Sequence, residues 1–156
     1  MEPTQHTTTS SPHYRRPDWF SRRLLVPAFD ALMHLGVSVF GSRILEHRGR
    51  RSGRTYRTPV NLLRFDGGEY LVSPRGESEW VRNVRADGWK VVLALGRRRE
   101  TRQAVEIPVA DRAPVLRQYL RRWRFEVGMF FDGVDPDSSD EQFAAVAERH
   151  PVFLLR

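Results

Sequence analysis

The chain has 156 residues, enough for one domain with a packed core, and its 40% hydrophobic and 29% charged residues are ordinary for a globular protein. A balance of 26 basic against 19 acidic side chains gives a formal net charge of +7, which favours anionic partners without choosing among nucleic acid, a membrane headgroup and an anionic cofactor. The lack of cysteine excludes disulfides, thiolate nucleophiles, iron–sulfur clusters and zinc–thiolate sites, and with no bilayer-length apolar run and no secretory core at the start, the expected location is the cytoplasm.

In chain order, residues 1–17 are polar and rich in Thr, Ser and Pro, the composition of a disordered tail. Residues 18–156 are expected to form a single domain that opens with a helix over 20–36. There Leu25, Phe29, Leu32, Met33 and Gly36 recur at three- and four-residue spacing. Arg15, Arg16, Arg22 and Arg23 flank that helix, so it either packs on the domain or lies peripherally on a membrane surface.

Beyond Gly41 the period shortens to two. Strands are predicted at 44–48 and 55–65, joined by a turn around Gly49–Gly53. A strand at 69–74 returns across Asp66-Gly67-Gly68, and strands at 90–95 and 99–108 meet across Gly96-Arg97-Arg98. Helical spacing appears at 78–87, with Trp80, Val81 and Val84 on one side and Ser78 as N-cap. A longer amphipathic helix follows at 112–127, with Leu116, Tyr119, Leu120, Trp123 and Val127 as its stripe. An acidic loop, a short helix at 140–149 and a strand at 151–155 close the chain. The expected architecture is mainly β with flanking helices (α+β), a small antiparallel barrel around one hydrophobic cluster.

Three places have the makings of a site. Gly49-Arg50-Arg51-Ser52-Gly53 is either a basic solvated turn or a nest for a phosphate or carboxylate, with a tight backbone, a hydroxyl and two guanidiniums. It is not a Walker A loop, which needs a longer frame ending in Lys-Ser/Thr. In the next strand Pro59 removes a ladder donor, so Thr58-Pro59-Val60 is an edge, a bulge or a platform for a flat ring. Ser73-Pro74-Arg75-Gly76 precedes a helix on which Trp80 and Asn83 share a face, as an aromatic wall and an amide or as core and surface. The five histidines are scattered without ligand spacing, so no metal is expected, and neither a nucleophile elbow nor a Rossmann fingerprint is present.

Taken together, LEHRGRRSGRTYRTPVNLL, the Asp-Gly-Gly turn, YLVSPRG, EWVRNVRA and the closing HPVFLL resemble the deazaflavin-dependent nitroreductase and quinone reductase family. The likeness is specific from Ile44 to Leu95 and looser towards the C-terminus. It implies a split β-barrel akin to the flavin-mononucleotide-binding flavin reductases. It also implies coenzyme F420, a deazaflavin with a phosphodiester and a polyglutamate tail, with FMN as the alternative cofactor. On that reading Arg50, Arg51, Ser52 and Arg57 cradle the anionic part, and Thr58, Pro59 and Val60 lie along the ring. Ser73, Arg75 and Gly76 line its other end, and Trp80 and Asn83 close the pocket. Glu79 stands where some relatives have proline.

The activity implied is hydride transfer to a small electron-poor acceptor, a quinone, nitroaromatic or activated enone. Trp123, Phe125, Met129, Phe130 and Phe131 would form the substrate side, and Tyr119 is the one nearby phenol able to give a proton. Related barrels pair, so a homodimer is compatible. The rival readings are a non-catalytic flavin, deazaflavin, haem or lipid binder on the same barrel, and a nucleic-acid-binding module, which lacks any recognised signature here.

Overall fold

Apolar side chains at every second position turn six stretches of this chain into strands. The computed structural model describes residues 41–156; the tail at 1–17 and the helix expected at 20–36 lie outside the described residues. The strands are β1 (Ser42–Arg48), β2 (Thr55–Phe65), β3 (Gly68–Val72), β4 (Lys90–Leu95), β5 (Arg98–Glu106) and β6 (Val152–Leu155). They close into an antiparallel barrel in the order β1-β2-β3-β6-β5-β4. The helices are α1 (Glu79–Ala86), α2 (Arg112–Val127) and α3 (Asp140–Ala147).

The hairpin turns follow their chemistry. Between β2 and β3 both central residues, Asp66 (φ 48°) and Gly67 (φ 70°), are left-handed, as the twist of a two-residue hairpin demands. Ser78 does stand at the N-cap of α1, but its side chain makes no cap bond; its hydroxyl lies 3.1 Å from that of Ser73 instead. Ser139 and Gln142 form a reciprocal capping box at the start of α3.

β2 shapes the site because it serves two partners in turn. Thr55–Asn61 pair with β1, and only Leu62–Phe65 pair with β3. Along its first half the β3 side of the strand therefore carries no ladder among the described residues, and Pro59 sits there, where a missing N–H costs nothing.

The expectation of one hydrophobic cluster is corrected. Leu45, Leu62, Leu71, Leu93 and Phe153 fill the barrel, plugged at one end by Trp80, Val81 and Val84 of α1. Leu63, Val72 and Val152, their strand neighbours, point outwards into a second cluster built by α2 and α3. The second half of β2 and strands β3 and β6 are thus covered on both faces, so a single alternating pattern carries two cores there. A partly buried ion-pair group ties the layers together. Arg85 of α1 donates to Glu106 of β5 at 2.7 and 2.8 Å, and Arg112 of α2 donates to the same carboxylate at 2.8 Å.

Candidate functional site

The β1–β2 turn is tight because two glycines allow it. Gly53 is left-handed (φ 67°), and a Cβ on Gly49 would stand 2.4 Å from the Tyr56 ring. Gly49 donates to the Arg54 carbonyl and Gly53 to that of Gly49, each at 2.8 Å, while the Arg54 amide donates to the Ser52 hydroxyl. Among the described residues this leaves the Arg51 and Ser52 amides without a partner inside the turn. Arg51, Ser52 and Arg54 are exposed.

Arg50 has a different place from the one its neighbours suggest. Its backbone N–H donates to Asn83 Oδ1 at 3.2 Å and its guanidinium to the same oxygen at 2.9 Å. The guanidinium also meets Glu79 at 2.7 Å and holds that carboxyl below its usual range. Arg50 therefore staples the turn to α1, and Asn83 is the hub of the staple. Glu79, the departure from proline, supplies the second half of it.

His47 belongs to this group although the sequence did not single it out. It is 5% exposed; Nδ1 lies 3.3 Å from Asn83 Nδ2 and Nε2 lies 3.2 Å from Thr58 Oγ1. Its ring stacks with Tyr56 at 6.0 Å. The signal available was its register: two residues before Gly49, on the inward phase of β1 opposite Tyr56. Burial lowers its proton affinity. The folded state thus takes up this proton less readily than the unfolded chain, so the stability contributed is full above the ordinary histidine range and lost as pH falls below it.

Along β2, Thr58 and the exposed Pro59 border the open edge, and Val60 turns into the barrel core. Arg57 is half-exposed and 3.5 Å from the buried Glu46, which Arg99 also engages. Ser73 is buried; its hydroxyl donates to the Gly76 carbonyl at 2.7 Å, and Gly76 is left-handed (φ 79°). Both shape the loop rather than face outwards. Arg75 leaves it to lie over the Phe130 ring at 5.0 Å, joining the loop to the aromatic segment. Trp80 is 7% exposed and packs on Phe153 at 5.2 Å, so it lies with the barrel core.

The aromatic segment divides. Trp123, Phe130 and Phe131 are buried in the outer core, whereas Phe125 and Met129 project fully or largely into solvent. A break in helical geometry falls at Trp123 (φ −125°, ψ 27°), just ahead of the exposed Phe125. Asn61 donates to Glu126 at 3.2 Å, which brings this end of α2 beside the middle of β2. Tyr119 is 2% exposed, 4.8 Å from Trp123. Burial first and the Glu126 carboxylate second push its phenol well above the usual range, both against proton release. Tyr119→Phe is therefore expected to leave turnover within about twofold while costing about 1 kcal/mol of stability, the usual worth of one buried hydrogen bond, here the one between the phenol and Asn61. Steady-state rates beside urea unfolding check it; a drop of about 100-fold would restore the phenol as an acid.

The model of the F420H(2)-dependent quinone reductase family matches residues 14–128, well over half of the chain. The chain belongs to this family. No curated protein matches it. Among solved structures, an F420-H2 dependent reductase (FDR-A) is 17% identical with a TM-score of 0.51, covering 74% of this chain and 94% of its own. A domain-swapped dimer is 15% identical with a TM-score of 0.55, covering 85% and 96%. The protein Atu2129 of Agrobacterium tumefaciens, of unknown function, is 16% identical with a TM-score of 0.51, covering 94% of this chain and 58% of its own. At these identities the likeness is one of fold.

As an F420-dependent reductase this chain needs a place for a flat ring and an anionic arm. The residues present suit both: exposed guanidiniums at Arg51 and Arg54, the Ser52 hydroxyl, and beside them a strand edge with no ladder partner on its β3 side among the described residues. A cavity of about 100 Å³ opens at the other end of the barrel. Of its guanidiniums, Arg64 pairs with Glu69 and Arg98 with Glu100, each at 2.8 Å, while Arg43 donates to the Ser42 carbonyl at 2.9 Å. Among the described residues no cluster could hold a metal, and no helix is long and apolar enough to cross a membrane.

Proposed function

We propose that this reductase passes reducing equivalents from F420 to a small quinone-like acceptor at the open edge of β2. One observation carries the reading: the arginine-rich turn is stapled by Asn83 against α1, beside the only half of β2 left unpaired on its β3 side among the described residues. Arg51, Ser52 and Arg57 would hold the anionic arm, with Arg50 setting the turn's shape. Thr58 and Pro59 would lie along the ring, with Val60 supporting them from the core. Bound reduced F420 supplies a hydride. The protein's own part is to bind, orient and exclude water. Arg75 on Phe130 and the exposed Phe125 and Met129 offer the acceptor an apolar side, and the buried, hard-to-ionise Tyr119 leaves protonation to solvent.

The test is a fluorescence titration with F420 and FMN in parallel, followed by menadione added to the complex with reduced F420. F420 is expected to bind more tightly than FMN and menadione to oxidise the complex. Preference for FMN, or no oxidation by any quinone or nitroaromatic, would overturn the reading. Arg51→Ala is expected to weaken F420 by about 1–3 kcal/mol, the scale of one charge-assisted bond, with the loss shrinking as salt is added. Unchanged affinity at low salt removes the turn from the site.

A further inference from the structure

His47 plays no part in that reading, yet it carries the hydrogen-bond chain that shapes the turn on to Thr58. Arg50 fixes the Asn83 amide, because two N–H donors, from its backbone and its guanidinium, converge on Oδ1. The amide NH2 must then face His47, and since it can only donate, the ring nitrogen Nδ1 must accept. The ring proton therefore sits on Nε2 and is donated to Thr58 Oγ1. A second proton has no acceptor. On Nδ1 it would oppose the N–H of Asn83. Turning the amide over would relieve that clash but would face the NH2 with both donors of Arg50. Either outcome breaks the bonds that hold the turn.

We propose that His47 is a positioning residue for the anion cradle: its neutral Nε2–H form keeps the Asn83 carbonyl on Arg50, and a proton on the ring releases the turn and its grip on the cofactor's anionic arm. The inference rests on the cradle reading above. Burial favours the neutral ring, so the latch is closed at neutral pH and opens below the ordinary histidine range. The surroundings do not rescue the charged ring. On α1, Glu79 is engaged by Arg50 and Arg82; on His47's own strand, Glu46 is engaged by Arg57 and Arg99. The remaining charged groups of β1, β2 and β4 are Arg43, Arg48, Arg64 and Lys90, all cations, so none of them supplies an anion to the charged ring.

The experiment pairs two measurements. F420 affinity is followed from about pH 8 to about pH 5 for the wild type and for His47→Gln, which keeps a donor and an acceptor but does not titrate. Wild-type affinity is expected to fall about tenfold or more as the ring protonates, the effect of losing a charged group's placement, and the variant to stay nearly flat. In the cofactor-free protein, magnetic resonance is expected to show the Arg50 backbone amide and the Asn83 side-chain amide moving with the midpoint of the His47 ring. Acid loss of affinity undiminished in His47→Gln overturns the latch, as does a ring that titrates without moving either amide. Coupled amides in a protein that binds no F420 would sustain the latch and overturn the cofactor reading instead.

Discussion

Trp80→Ala lowers the stability of this reductase by about 3–5 kcal/mol, the range for emptying a large aromatic site in a packed core. The indole is almost wholly buried, touches Phe153 and shares the barrel interior with Val81, Val84 and Leu71. α1 closes that end of the barrel, and no smaller side chain on it would fill the space. Urea unfolding measures the loss, and Trp80→Phe should recover a good part of it. F420 affinity, measured where the variant remains folded, should fall less than stability does. The opposite pattern, near-native stability with cofactor binding abolished, would show Trp80 to be a wall of the site rather than part of the core.

Glu106→Ala costs up to a comparable amount, about 3–5 kcal/mol, because removing the carboxylate strands the buried Arg112 charge. Arg112 is only 6% exposed at its side chain and would keep its bonds to the Ile107 and Ala147 carbonyls, which do not neutralise it. Arg85, whose affinity for its proton is raised chiefly by Glu106, would retain Glu77 alone. The consequence reaches function through α1. That helix carries Asn83, so loosening Arg85 loosens the hub that holds the β1–β2 turn. F420 affinity should therefore fall along with stability, and Glu106→Ala combined with Arg112→Leu should regain stability by removing the stranded charge. A single variant as stable as the wild type would show that the carboxylate contributes nothing.

Much of this was open to a reader of the chain. Alternation with turn chemistry located the six strands to within a few residues, and the G-R-R-S-G turn, the Pro59 strand and the W-x-x-N helix pointed to the family later matched over residues 14–128. Such signals are local: a two-residue turn with both φ positive, or a helix of given period, is specified by residues a few positions apart. What the tertiary structure alone decided is which side of each residue faces what. Arg50 and Arg51 are adjacent and alike in sequence, yet Arg50 is bound to Asn83 across 33 positions while Arg51 makes no such contact to α1 among the described residues. His47, unremarked among scattered histidines, became a link in that hydrogen-bond chain because β1 passes beneath α1. Trp80 faces the barrel and Phe125 faces water for the same kind of reason. A helix's period marks its apolar stripe, but only the packing of distant strands and helices determines which stripe is covered, and in this barrel both faces of β3, β6 and the second half of β2 are.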